Sequence, residues 1–286
     1  YGGTNPLLGG IRLADRVVTV SPNYANEILD EASGMGLHWV LAQLGDRLVG
    51  IINGIDTQEW NPATDPHLVA PYQAASMRGK GANRTALHER FGLATDGPTQ
   101  PLIGMVTRLV EQKGIDLAVD AARFLAGVPA RLAVLGSGDA HLAAALHDLA
   151  GHNPGRIGFV EGYDAALSHL IFAGSDLLLM PSRFEPCGLA QMQAMAYGTI
   201  PIVTDVGGLH DTVVDDDADP EAGTGFVSPS ADAAGLVDAV HRAARAWNST
   251  KRRSTLRYRG MSTDWSWAGP AEDYTELYRQ AIADRA

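Results

Sequence analysis

Cysteine is almost absent from this chain: Cys187 is the only one in 286 residues. A disulfide framework and a cysteine-rich zinc site are both excluded, and a reducing cytoplasm is the expected compartment. The nine histidines include no His-x-x-x-His helix pair, so no metal and no cofactor is expected. Positive charge is also short. The 22 basic residues face 33 acidic ones, and a net charge of −11 argues against nucleic acid or an anionic membrane as a partner. Only Lys80, Lys113 and Lys251 are lysines, so a lysine in a glycine-bordered loop is less easily dismissed as surface filler. No apolar run approaches the roughly 18 residues of a membrane span. The opening "YGGTNPLLGG" has neither a basic leader nor an initiating methionine, so Tyr1 is expected to lie inside a longer chain. The acidic run "DTVVDDDADPEAG" (211–223) is expected to be a solvated loop.

What is present is strand–helix alternation. "PLIGMVT" (101–107), "ARLAVLGSG" (130–138), "RIGFVEG" (156–162), "SDLLLMPS" (175–182) and "TIPIVTD" (199–205) read as strands, each followed by a helical pattern. Apolar, non-alternating strands separated by helices predict an α/β fold: a doubly wound, Rossmann-like parallel sheet, at 57–245. Residues 1–56 read as the end of a different unit plus a linker, with Ser21 and Pro22 as the cap and first residue of a helix. Segment 57–80 is proline-rich and predicted to be an irregular surface excursion. Residues 246–286 are predicted to be helices packing back toward the N-terminal unit, with Trp265, Trp267, Tyr274, Leu277 and Tyr278 as packing residues.

Ligands of open parallel sheets bind beyond the carboxyl ends of the strands. Charged, glycine and aromatic residues gather there. Arg108 and Lys113 follow the first strand and suit a diphosphate, unless they are surface cations, one pairing with Glu111. Gly136 and Gly138 in "LGSGD" allow either close approach of a nucleotide or a tight turn. Tyr163 either stacks on a base or packs in the core. "PSRFEPCGL" (181–189) places Glu185 and Cys187 just ahead of a helix. There Glu185 either favours the helix dipole, with Arg183 as its ion-pair partner, or does chemistry, while the thiol alone reads as a small buried hydrophobe. The helix start at Cys187, Gly188, Leu189 and Ala190 offers backbone N–H groups to phosphate or sugar oxygens. Gly207 and Gly208 form either an amide nest for an anion or a turn.

These residues carry a family pattern. "SRFEPCGLAQMQAMAYGTIPIV", with "TRLVEQKGIDL" before it and "VGGLHDTV" after it, resembles the bacterial glycogen synthases and plant starch synthases. "ADRVVTVSPNYANEI", "GIINGIDTQEWNPATD", "LGSGD" and "DWSW…YTELY" match in the same order, so the resemblance covers nearly the whole chain. It implies two Rossmann domains around an active-site cleft, this chain holding the C-terminal one and a remnant of the other. It also implies metal-free, retaining transfer of glucose, usually from ADP-glucose, to the non-reducing end of an α-1,4-glucan. A small-acceptor glycosyltransferase and a non-catalytic nucleotide-sugar module are the alternatives, and a UDP-glucose donor stays open.

By that resemblance Arg108 and Lys113 neutralise the leaving ADP, Glu185 binds donor-sugar hydroxyls, and Tyr163 stacks on adenine. The amides of Cys187 to Ala190 hold sugar and phosphate oxygens, and Cys187 is not a nucleophile. Three positions depart from the common pattern. Ala190 stands where many members have a hydroxyl residue, Val206 where threonine is frequent, and Gln193 where wider relatives carry a second glutamate. The glycine-rich Lys-x-Gly-Gly-Leu loop and the acceptor-side histidine of the family do not occur in these 286 residues. The segment alone is therefore expected to hold most donor contacts, to bind ADP weakly or not at all, and to show no turnover.

Overall fold

The computed structural model describes residues 5–95, 100–124 and 130–285. The N-terminal unit contains α1 (Pro6–Leu13), β1 (Val17–Thr19), α2 (Pro22–Glu27), α3 (His38–Leu41) and β2 (Leu48–Gly50). Ser21 caps α2 through its hydroxyl, which accepts from the Tyr24 N–H, and Pro22 occupies the first turn, where its missing N–H costs nothing. β1 and β2 pair in parallel only with each other, beside a small core of Ile11, Ile28, Val40, Leu41 and Leu44.

The larger unit contains α4 (Arg78–Arg90), β3 (Leu102–Leu109), α5 (Ile115–Phe124), β4 (Arg131–Gly138), α6 (Ala140–His152), β5 (Ile157–Glu161), α7 (Ala165–Gly174), β6 (Leu177–Met180), α8 (Ala190–Ala196), β7 (Ile200–Thr204), α9 (Gly207–Thr212), β8 (Phe226–Ser228) and α10 (Ala233–Asn248). Its six strands are all parallel, in the order β5-β4-β3-β6-β7-β8. Side chains alternate across the sheet. Ile103 and Met105 join Leu132, Val134, Leu146 and Leu236 on one face, and Leu102 joins Leu87, Ala133 and Ile171 on the other. Both faces are thus dry, which is why the strands read as unbroken apolar runs. The chain reverses direction along the sheet between β3 and β6, where a doubly wound fold opens its crevice.

Three expectations need correction. Segment 57–80 is irregular to Met77 but anchored rather than adrift. The Trp60 ring stacks on His169 at 4.0 Å, Asp65 pairs with His169 at 2.7 Å, and the Tyr72 hydroxyl donates to the Tyr197 carbonyl at 2.8 Å. Lys80, already in α4, is buried and donates to the Ala173 and Tyr197 carbonyls, each at 3.0 Å. The acidic run is solvated only in part, with residues 217–222 exposed. Asp215 and Asp217 pair with Arg242, and Asp216 and Asp217 with Arg252, so the charges are held against α10 and the next helix. Finally, the boundary expected at 245 falls inside α10, which runs to Asn248.

Two last helices follow, α11 (Thr250–Ser262) and α12 (Ala268–Ala283). The chain returns to the N-terminal unit here: the Ile55 N–H donates to the Trp265 carbonyl at 2.8 Å, Arg285 pairs with Asp15 at 2.6 Å, and Arg16 pairs with Asp284. Of the expected packing residues only Leu277 is fully buried, while Tyr278 and Trp267 are exposed. Among the described residues no helix is long and apolar enough to cross a membrane.

Candidate functional site

A cleft of about 540 Å³ opens at the carboxyl ends of β3, β4 and β6, at the point where the strand order reverses. Arg108, Lys113, Gly136, Tyr163, Glu185, Gly188, Leu189 and Ala190 all line it. Eight residues spread over more than 80 positions of sequence thus meet in one crevice because each lies near or just beyond the carboxyl end of a parallel strand.

The floor of the cleft is an ion pair. Lys113 sits at the end of a single 3-10 turn, Glu111–Lys113, and its ammonium binds the Glu185 carboxylate. The Ser182 hydroxyl donates to the same carboxylate oxygen at 3.1 Å. Close backbone packing makes this possible. Gly114 has a left-handed φ of 63°, and a Cβ there would lie 1.9 Å from the Pro181 carbonyl oxygen. Only glycine lets the turn carrying Lys113 press against the strand end that leads to Glu185. Two further bonds clamp the segments together: the Arg183 N–H donates to the Gln112 carbonyl at 2.8 Å, and the Gln112 side chain donates to the Phe184 carbonyl at 2.9 Å.

Arg183 is therefore not the partner of Glu185. Its guanidinium forks onto Asp116 at 2.7 and 2.6 Å, and this hydrogen bonding holds the Asp116 carboxyl below its ordinary range. Lys113, in turn, does not pair with Glu111. Arg108 ends β3 exposed, and among the described residues its guanidinium has no hydrogen-bond or ion-pair partner. Tyr163 stands at the rim, 91% exposed. A core role for Tyr163 is thereby excluded. The cleft combines a guanidinium without a partner among the described residues, a largely shielded carboxylate–ammonium pair and an unpacked aromatic face. That set can neutralise a diphosphate, bind hydroxyls and stack on a ring.

Four expected site residues lie elsewhere. α8 begins at Ala190, so Cys187 is not on a helix start; it packs with Ile55 and Met192, outside the cleft lining. Burial pushes its thiol pKa up, and the Glu185 and Asp211 charges push the same way against a backbone hydrogen bond from Asn53. A protonated, buried thiol is a poor nucleophile. Gly138 is also off the lining. It and Gly136 sit within β4, opposite Leu109 and Thr107, where a Cβ would lie 2.4 and 2.5 Å from those carbonyl oxygens. The two glycines serve strand contact rather than a turn. Gly207 and Gly208 are buried away from the cleft. Their amides are taken by the Glu27 carboxylate at 2.7 Å and the Glu185 carbonyl at 3.0 Å. Ser182, Gln191 and Glu27 were not singled out by sequence. Ser182 stood inside "PSRFEPCGL" but carries no motif of its own, and Glu27 acts from a distant unit.

The family model for group 1 glycosyl transferases matches residues 91–260, and that for the starch synthase catalytic domain matches residues 1–43. The glycogen synthase of Halorhodospira halophila is 48% identical over 285 residues, covering 100% of this chain and 59% of that protein. The glycogen synthase of Alkalilimnicola ehrlichii is 52% identical over 276 residues, covering 95% of this chain and 56% of that protein. The chain thus spans well under two thirds of the length of these relatives. The catalytic domain of starch synthase IV from Arabidopsis thaliana, solved with ADP and acarbose, superposes with a TM-score of 0.92 at 39% identity, over 98% of this chain and 58% of that one. The chain belongs to the group 1 glycosyl transferases, and its relatives among them are glycogen and starch synthases.

Proposed function

We propose that the cleft binds the nucleotide-sugar donor of a retaining glucosyl transfer, with ADP-glucose as donor and the non-reducing end of an α-1,4-glucan as acceptor. The observation that carries this reading is the largely shielded Lys113–Glu185 pair beside Arg108, which has no side-chain partner among the described residues. A leaving nucleoside diphosphate gains charge as the glycosidic bond breaks. Arg108 and Lys113, fixed at the carboxyl end of β3 and on the turn just after it, stabilise that charge without reorganising. Glu185, turned into the same cleft, accepts hydrogen bonds from sugar hydroxyls and orients the glucosyl group. Tyr163 offers its open face to the base, and the ADP bound by the Arabidopsis relative supports adenine as that base. Gly188, Leu189 and Ala190 bring backbone to the sugar and phosphate oxygens. A cytoplasmic location is part of this reading, supported by the single buried thiol.

The division into 1–56, a nucleotide-sugar-binding unit and a C-terminal helical return also belongs to this proposal. It is supported by the separate β1–β2 sheet and its separate core. The test is a ligand-observed NMR titration of the chain with ADP and ADP-glucose, repeated with Arg108→Ala. Weak, saturable binding that falls by about tenfold in the variant is expected, as for loss of one charge-assisted contact. Binding indifferent to Arg108 would sink the assignment of the diphosphate site. Glucose incorporation into glycogen by the reading frame that contains this chain, with and without Glu185→Ala, tests the transfer itself. Unchanged incorporation in that variant would remove Glu185 from the donor site.

A further inference from the structure

α9 is fastened to α2 along its length. At its start the Gly207 N–H donates to Glu27 Oε1 at 2.7 Å, and the Asn23 side-chain amide donates to the Gly207 carbonyl at 3.4 Å. Near its end Asp211 accepts the Ser21 hydroxyl, and the Asn23 N–H at 3.1 Å. Asn23 also donates to Glu27 Oε1 at 2.9 Å, which fixes the carboxylate in place.

The opposite side of α9 lies against the loop that carries Glu185. The Gly208 N–H donates to the Glu185 carbonyl at 3.0 Å. A Cβ at Gly207 would lie 2.0 Å from that same carbonyl oxygen, and one at Gly208 would lie 2.2 Å from the Cys187 carbonyl oxygen. The two backbones touch with no slack, so a shift of α9 is passed to residues 185–187. At the far end Gln191 Nε2 donates to the Thr212 hydroxyl at 3.0 Å and to the Cys187 and Gly188 carbonyls at 3.1 and 3.0 Å. Glu27 itself is outside the cleft lining.

We infer that Glu27 is a positioning residue for Glu185: through α9 it sets the place of the carboxylate that meets the donor sugar. The inference rests on the nucleotide-sugar reading of the cleft. It assigns glucosyl recognition in part to a residue of the N-terminal unit that touches no donor atom. Arg108 and Tyr163 sit on β3 and after β5, away from α9, so these two nucleotide contacts are independent of this linkage, while Lys113 meets it through the Glu185 side chain.

That asymmetry supplies the test. ADP and ADP-glucose are titrated by ligand-observed NMR into the full chain and into Glu27→Ala, Glu27→Gln and Glu27→Asp. Thermal unfolding is recorded for each, and Glu27→Asp, which keeps the charge but withdraws it from Gly207, stands in if the alanine variant fails to fold. In Glu27→Ala and Glu27→Asp, ADP-glucose affinity is expected to fall about tenfold and ADP affinity clearly less, by about threefold or below, because Arg108 and Tyr163 are untouched while Lys113 shifts with its partner Glu185. Glu27→Gln retains an oxygen that accepts the Gly207 N–H, and is expected to match wild type for both ligands. Equal weakening of both ligands, unchanged ADP-glucose affinity in Glu27→Ala, or a glutamine variant as weak as alanine would each overturn the inference. Absence of ADP binding both in this chain and in the reading frame that contains it would overturn the nucleotide reading itself, and this inference with it.

Discussion

The Glu185 carboxylate and the Lys113 ammonium form one ion pair from two strand ends, with side chains only 7% and 17% exposed. Removing one partner leaves the other charge largely shielded and without its counter-ion. Lys113→Ala is therefore expected to cost about 3–5 kcal/mol, the usual penalty for an uncompensated buried charge. Glu185→Gln is expected to cost less, because the neutral amide still accepts the Ser182 hydroxyl and the longer lysine can reach water. Urea unfolding of the two single variants and the double variant gives a coupling energy. A coupling below about 0.5 kcal/mol would show that the pair contributes nothing beyond additive effects.

Tyr163 separates binding from stability. It is 91% exposed, so Tyr163→Ala removes almost no packing and should leave the unfolding midpoint unchanged. If its ring receives the base, ADP affinity should still fall by about 1–3 kcal/mol, the usual worth of base–aromatic stacking. Thermal unfolding and an ADP titration of the same preparation decide it. Equal ADP affinity in the variant would leave the exposed ring without a nucleotide role.

The sheet was legible because parallel strands buried on both faces leave uninterrupted apolar runs, as in "SDLLLM" before the cleft. Strand ends then located Arg108, Lys113, Glu185 and Tyr163 without any contact information. β8 escaped notice because three residues, Phe226–Ser228, carry no period, and α10 was not drawn, while α11 lies in the stretch 246–286 that was expected to be helical. The roles of the glycines were the least legible. Gly136 and Gly138 were both candidate ligand contacts; both accommodate β3 and only Gly136 also lines the cleft, while Gly114, which brings Lys113 to Glu185, was noted only as the border of the lysine's loop. Sequence shows that a glycine is present but not which backbone approaches it. Glu27 was invisible for the same reason: its partner, Gly207, is 180 positions away.

Cys187 should be chemically quiet. It is buried among Ile55 and Met192, and burial raises its thiol pKa. Reaction with an aromatic disulfide reagent is expected to be slow in the native protein and to accelerate on unfolding in urea. Cys187→Ala should retain ADP binding within about twofold, since the side chain is off the cleft lining and the backbone is kept. Rapid native labelling, or loss of ADP binding in the alanine variant, would return the thiol to the site.

Asp176 sets part of the acid limit of the fold. Burial pushes its carboxyl pKa up, but Arg257 at 2.6 Å, Arg84 at 3.1 Å and the Leu102 N–H at 3.0 Å outweigh that and hold it below the ordinary range. The folded pKa is thus depressed relative to the unfolded value of about 3.9. The stabilisation this confers is fully present above pH 4 and is lost as pH falls through the folded pKa, because the unfolded chain takes up the proton first. Each such proton contributes a slope of at most about 1.4 kcal/mol per pH unit. Asp176→Asn is expected to be less stable at neutral pH, since Arg84 and Arg257 lose their shared anion. It should also lose stability less steeply below pH 4. Urea unfolding of both proteins between pH 2.5 and 7 measures the two slopes. Parallel slopes would assign the acid limit to other carboxylates, such as Asp215, whose pKa burial raises and Arg242 lowers further.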